Sequence, residues 1–425
     1  MRRPRGCPGG SAIRSADSKA VHSLVKPVFA PAVSRSTIRA MNERFSWHGM
    51  QRWFHEPHGP DRGCLQPRLC RGILVAAQML TVLVTWPSWH RHEMPPMLPL
   101  LPVPQFDFGM PLLATLTLVF FRPRLGLPLH ALLLAYAFVA DQSRLLPHTI
   151  SLFLLTCATT GRPEGALITR GSLVSLWFFA GIHKLTSRDF FIETAPWLLW
   201  NLAPHASGRW ATPLGIAIGA TEVTLAVGCL LPALRRATAI AACLFHAGTV
   251  AVLALVMNWD PGVWPWNAAL SAASPLLLLP WRGRWLGDCW RTAGHWTRCF
   301  AVAVLLLPVG YWFGVVDAHF AHCLYSTNVP RAFVCTPFSR TDIRVICEQL
   351  GVQVPPAHRH FDRLFLGVGR AGEWMEVEDP RWIARLRGFD RRKVFWNDLV
   401  PRDFEIVAPP DTETVPPTTS GEAGR

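Results

Sequence analysis

Lys184 is the only lysine between Lys26 and Lys393, in a chain whose cations are otherwise almost all arginine. It closes the apolar stretch Ser172–Leu185, directly after His183 and one helical turn beyond Ala180 and Gly181. Arginine stays charged, whereas a desolvated ammonium can lose its proton near neutral pH and act as a base. On a helix, Ala180 and Gly181 share the face of Lys184, and small residues there let a second helix approach closely. The lysine then points into a helix contact; the alternative is a helix-end side chain snorkelling to the interface.

Three further groups join it. Glu222 sits inside the run Gly219–Leu225, where a lone carboxylate needs a partner or a proton. His246 lies within Leu244–Gly248, and His183 faces about 100° away from Lys184 around a helix. Two accounts follow. In the first, Lys184 is a general base with a tuned pKa, and His183, Glu222 and His246 organise a catalytic site around it. In the second, the same groups form a structural polar network, with Lys184 and Glu222 as the obvious pair. The segment Asp141-Gln142-Ser143-Arg144 has the i, i+3 spacing of a local ion pair. There is no P-loop, no nucleophile elbow and no HExxH, so nucleotide-driven transport and the common hydrolase chemistries lack support. The 11 cysteines include no CxxC, and no zinc-type Cys/His cluster accompanies them, so no metal site is expected. Cys323, Cys335 and Cys347 allow at most one disulfide among themselves.

These residues must be held by membrane helices. The chain is 50% hydrophobic and 16% charged, against about 25% charged in soluble domains, and its mean hydropathy is +0.22. The net charge of +14 lies largely in the N-terminal arm and in short loops, where basic residues set topology and meet anionic lipid. The lipid bilayer is therefore the expected partner, and nucleic acid is not. Apolar runs at Ile73–Trp89, Phe108–Phe121, Leu125–Ala140, His148–Thr160, Ile168–Leu185, Ala211–Leu231, Thr238–Met257, Trp264–Pro280 and Cys299–Val316 suggest about nine spans.

The fold class expected is an all-α integral membrane protein with a small extracytoplasmic α+β domain at its C-terminus. Residues 1–70 read as a basic, disordered cytoplasmic arm, 71–317 as the transmembrane domain, 318–407 as the outer domain and 408–425 as a disordered tail. Met41 and Met50 are alternative starts to Met1. The inner loops then hold Arg122, Arg124, Arg162, Arg170, Arg235, Arg236, Arg282, Arg284, Arg291 and Arg298. The outer ones hold fewer basic residues, as the positive-inside rule requires. Phe190–Trp210 and Asn258–Trp266 carry tryptophans suited to the headgroup level, as an aromatic belt or as a lid over a lipid-accessible cavity. In the outer domain, Arg340–Leu350 reads as an amphipathic helix with Ile343, Ile346 and Leu350 on one face. Strand-like pieces surround Asn328–Pro330 and Gly351–Pro356.

The stretch Phe178-Phe-Ala-Gly-Ile-His-Lys-Leu185 resembles the Ala-Gly-x-Lys-Lys-Leu segment of vitamin K-dependent gamma-carboxylase and its bacterial relatives, the horizontally transferred transmembrane (HTTM) proteins. Asp141–Arg144, Thr221-Glu222, Leu234–Arg236, Phe245-His246 and Leu324–Pro330 stand in the same order. The resemblance implies a bacterial inner-membrane protein and places Lys184 where that family's base deprotonates a quinol. Reduced vitamin K or another quinol, a lipophilic quinone partner and an extracytoplasmic protein partner are implied in the same way. His183 departs from the motif's first lysine, and about ninety residues replace the large substrate-binding lumenal region. The function expected is a membrane enzyme using Lys184 on a quinol-type cofactor. The alternative is a non-catalytic scaffold or accessory protein, and a transporter comes third.

Overall fold

The computed structural model describes residues 65–279, 286–388 and 390–399. The expectations for most of the N-terminal arm, its alternative starts and the tail fall outside these residues. The described chain is mostly helical, with a small antiparallel sheet toward its C-terminus.

The helices relevant to the site are α1 (Leu65–Val84), α2 (Gly109–Phe121), α3 (Pro123–Ala140), α4 (Pro147–Thr156) and α5 (Pro163–Thr186). They continue with α6 (Ala195–Leu202), α7 (Ala211–Leu230), α8 (Arg235–Ala251), α9 (Trp264–Leu278), α10 (Leu286–Thr292) and α11 (His295–Leu306). Proline opens α3, α4 and α5, where its missing N–H costs nothing and its φ is already helical. Ahead of α5, Gly161 takes φ +71°, a left-handed geometry that ends the preceding helical turn cheaply.

Five segments are long and apolar enough to cross a membrane: Pro67–Val84, Pro123–Ala140, Pro163–Thr186, Gly208–Leu230 and Pro232–Val256. The expected count of about nine is not confirmed among the described residues. The runs read as further spans form shorter helices; α4 has 10 residues, α11 12, α2 13 and α9 15. At 1.5 Å per residue, even fifteen residues rise only about 22 Å, short of a hydrocarbon core of about 30 Å. The chain is thus a multi-pass membrane protein with at least five candidate spans among the described residues. Burial ranks them. Within the molecule 78% of the α5 segment is buried, against 22% of Pro232–Val256. The first is the central post, packed by α4, α7, α10 and α11, and the second presents most of its surface outward.

Contacts between connecting segments sort into two groups. At one end Arg71 donates to the Phe120 carbonyl and Arg170 reaches the Cys289 thiol. At the other, Leu98 N–H binds Asp141, Gln353 binds Asp260, Arg331 binds Glu193 and Arg359 binds Gln142.

The sheet runs β2 (Arg340–Asp342), β1 (Arg331–Cys335), β3 (Trp374–Glu378), β4 (Arg391–Phe395), with every neighbouring pair antiparallel. One face alternates inward through Ala332, Val334, Met375 and Val377. It packs on α12 (Ile343–Gln349) and α13 (His358–Val368) through Ile343, Cys347, Phe361, Leu364 and Phe365. Leu98, from the connection between α1 and α2, completes this core, so the sheet unit includes a piece of the helical part. The helix expected at Arg340–Leu350 begins only at Ile343, because Asp342 accepts the Arg344 N–H as an N-cap and the three residues before it pair with β1. Leu350 is exposed, and Cys347 takes the core position instead. Gly351–Pro356 forms no strand, whereas a strand does follow Pro330. Cys323, Cys335 and Cys347 are separate buried thiols.

Candidate functional site

The site begins where α5 and α7 cross. Gly181 and Gly219 lie at closest approach, since a Cβ on Gly181 would stand 2.6 Å from the Gly219 carbonyl oxygen. One turn further, Lys184 Nζ donates to both carboxylate oxygens of Glu222, at 2.9 and 2.8 Å. A longer contact of 3.4 Å reaches the Ala180 carbonyl. Both side chains are buried, so the pair replaces water for each member. Ammonium and carboxylate answer one another inside a helix contact.

His183 points elsewhere. It is fully buried between the rings of Tyr311 (5.3 Å, edge-on) and Trp312 (4.8 Å), and Asn328 Nδ2 stands 3.5 Å from its Nδ1. Tyr311 donates in turn to the Asn328 carbonyl and lies under the Arg381 guanidinium. His246 forms a third environment. The Trp177 indole N–H, which can only donate, meets its Nε2 at 3.0 Å, so the ring proton sits on Nδ1 and faces Asn267 Oδ1 at 2.8 Å. Asn267 donates onward to the Val263 carbonyl. Trp177 precedes Lys184 by seven residues, about 10 Å along the axis of α5. The four residues singled out from the sequence therefore occupy three environments. Only Lys184 and Glu222 bond to each other.

Sequence reasoning missed Asn267, Asp260 and Asp379, and it gave Asp141 and Arg144 only a local pairing. Asn267 fixes the His246 tautomer, yet nothing in its apolar surroundings marks it out. Asp141 and Arg144 stand 4.0 Å apart, so the local ion pair expected there is marginal. Their main partners are distant. Asp141 accepts the N–H groups of Leu98 and Ser143, both at 3.0 Å, and stands 3.1 Å from His92. Arg144 donates to the Ser88 and His90 carbonyls at 3.0 Å and lies over the Phe108 ring. Burial alone would raise the Asp141 carboxyl, but these hydrogen bonds and the Arg144 charge hold it below the usual carboxylate range. Asp379 behaves likewise: burial pushes it up, and His358 and Arg381 pull it down further. Asp260 shows the opposite balance. Its desolvation outweighs the hydrogen bonds from Tyr325 (2.6 Å) and Gln353 (3.3 Å), and its pKa is raised.

Gly367-Val368-Gly369-Arg370-Ala371-Gly372, which sequence reasoning missed, has the glycine spacing of a dinucleotide loop, but it begins at the end of helix α13 and leads into β3. A phosphate-binding turn of that kind needs the reverse order, strand then helix. Among the described residues, no group of three or more His, Cys, Asp or Glu converges as metal ligands.

Residues 162–263 match the family model described as methylamine utilisation protein MauE. The match covers less than half of the chain, but it contains Lys184, His183, Glu222 and His246 together with α5, α7 and α8. No curated protein and no solved structure matches the chain. The resemblance to the HTTM and gamma-carboxylase proteins is thereby overturned, because the segment that carried it matches a different membrane family. The quinol chemistry and the cofactor that it implied lose their ground with it.

Proposed function

We propose that this multi-pass membrane protein is a non-catalytic accessory component, in which Lys184, Glu222 and His246 hold helices together. One observation carries the reading. The ionised groups of the candidate site are engaged with each other, Lys184 by two short hydrogen bonds to Glu222, and both nitrogens of His246 have partners. A buried, paired network of this kind specifies a helix register more readily than it supplies a free base. The matched family is named for methylamine utilisation, and we place the accessory role in the use of small amines.

The orientation belongs to the same reading. Arg71, Arg162, Arg170, Arg235, Arg291 and Arg298 lie on segments at one end of the bundle, and the positive-inside rule favours the cytoplasm for that end. Residues 318–407 then face outward as the surface open to a protein partner, with 71–317 as the membrane domain.

The test is complementation. A strain lacking this protein is grown on methylamine and supplied with wild type, Lys184→Met, or Lys184→Met combined with Glu222→Met. The single variant leaves a buried carboxylate without its cation, so it should be depleted from the membrane and fail. The double variant should accumulate and restore growth. If it accumulates at the wild-type level without restoring growth, the ionisable pair does chemistry and the accessory reading is wrong. A reporter fused after residue 400 tests the orientation independently.

A further inference from the structure

The end of α5, the turn Leu307–Tyr311 that extends α11, and the corner Pro380–Trp382 surround a cavity of about 450 Å³. Its lining includes Thr186, Trp312, Phe313, Asn328, Arg381 and Trp382. That volume falls within the range of small-molecule sites. The walls are aromatic, with the Phe313 and Trp382 rings 6.4 Å apart at 78°. Both rings are about half exposed.

The polar groups define what fits. Arg381 donates to Asp379 through Nε (2.9 Å) and Nη2 (2.6 Å) and to the Tyr311 carbonyl through Nη1 (3.2 Å), so its charge is matched within the protein. Thr186 gives its proton to the Ile182 carbonyl, and its oxygen keeps lone pairs free to accept. Asn328 uses its amide nitrogen toward His183, while its side-chain oxygen accepts no hydrogen bond among the described residues. The cavity therefore offers acceptors and aromatic faces, and no unmatched charge. The loop that delivers Asn328 is held in an unusual shape. His322, Tyr325 and Thr327 take φ of 59°, 59° and 53°, a region costly for non-glycine residues and concentrated at ligand clamps and active sites.

Position supplies the source of the occupant. Leu306, Leu307 and Val315 are exposed beside the cavity, and Val315 at 81% is among the most exposed apolar residues of the described chain. This apolar flank adjoins the end of α5, a helix long and apolar enough to cross a membrane, and a cavity there is within reach of bilayer lipid.

We propose that this cavity binds an uncharged, small-headed lipid from the bilayer. Its hydroxyl donates to Asn328 and Thr186, and its chain lies on Trp312, Phe313 and Trp382. The full-length protein is placed in phosphatidylcholine nanodiscs with a trace of diazirine-bearing monoacylglycerol, irradiated, and its adducts are mapped. Adducts should concentrate in Val309–Phe313 and Pro380–Trp382, and unlabelled monoacylglycerol should compete them away while leaving those on α8 unchanged. Asn328→Ala and Trp382→Ala should each lower cavity labelling about tenfold. A diazirine lysophosphatidylglycerol should label α8 but not the cavity. Equal labelling of the cavity by the anionic probe would overturn the neutral head. Adducts spread evenly over lipid-facing helices, insensitive to competitor, would reduce the contact to bulk lipid and end the proposal. The competition arm uses wild type alone, so it decides the matter even if a variant fails to accumulate.

Discussion

Gly181 on α5 and Gly219 on α7 face each other where the helices cross, and a Cβ on Gly219 would stand 2.8 Å from Leu185 Cγ. Lys184 and Glu222 each follow their glycine by three residues, so one close approach brings both charges into register.

Enlarging Gly181 should therefore separate the helices and weaken the ion pair together. Gly181→Ala is expected to cost about 1–3 kcal/mol, as overpacking does where backbone sits opposite. Gly248 on α8 has open space around it, and Gly248→Ala should be neutral or stabilise by up to about 1 kcal/mol through helix propensity. Detergent-resistant unfolding of the purified variants checks both. Equal effects at the two glycines would mean that the crossing is not the constraint.

The His246 network should behave as a unit. His246→Phe conserves ring volume but leaves the Trp177 N–H and the Asn267 side-chain oxygen unpaired, at an expected cost of about 1–3 kcal/mol. Asn267→Leu should cost a similar amount. The double variant should cost less than the sum, because the groups share partners. A strictly additive cycle, measured by the same unfolding assay, would show that the two side chains act separately.

Much of this architecture was legible in the residues, and the misses have identifiable causes. Lys184 and Glu222 could be paired in advance because small residues one turn before Lys184 announced a close helix contact and a lone carboxylate within an apolar run needs a partner. His246 could be flagged but not placed, since its partners Trp177 and Asn267 come from α5 and α9 and carry no local signature. Nine spans are not confirmed, because an apolar run does not show how much of it continues as one helix. The run His148–Thr160 divides into α4 and a 3-10 turn from Cys157, and α9 and α11 have only 15 and 12 α-helical residues. The family resemblance misled for a physical reason. Ala-Gly followed by a lysine one turn later is what a lysine at a tight helix crossing requires, whichever family the helix belongs to. In the C-terminal unit, the switch from β2 to α12 turns on one capping bond from Asp342, a finer feature than periodicity resolves.

Two arginines link connecting segments at the same end of the bundle and should differ sharply in weight. Arg359 joins α13 to Gln142 and Asp317, but its side chain is 49% exposed. Pairs screened by water contribute little, so Arg359→Ala should change stability by about 1 kcal/mol or less. Arg144 is fully buried and supplies the Ser88 and His90 carbonyls. Arg144→Met strips those carbonyls and the nearby Asp141 of a buried cation, for an expected loss of about 3–5 kcal/mol. Denaturant titration ranks the two, and a larger effect at Arg359 would contradict the burial argument.

Asp141 and Asp260 should give opposite responses to pH. The folded pKa of Asp141 is lowered, so the unfolded chain binds the proton more readily. Its stabilisation is complete above the ordinary carboxylate pKa of about 3.9 and disappears as pH falls through the depressed folded value. Asp141→Asn should remove that acid-sensitive component and destabilise the protein at neutral pH. Asp260 has a raised folded pKa because desolvation dominates, so its contribution is present below about pH 3.9 and is lost as pH rises through the folded value. Asp260→Asn keeps an oxygen to accept from Tyr325 and removes the ionisation cost, so it should raise neutral-pH stability. Unfolding midpoints of the two variants across pH 3–8 therefore diverge from wild type in opposite directions at the neutral end. A stabilising Asp141→Asn, or a destabilising Asp260→Asn, would show that the hydrogen bonds and the desolvation have been weighed in the wrong order.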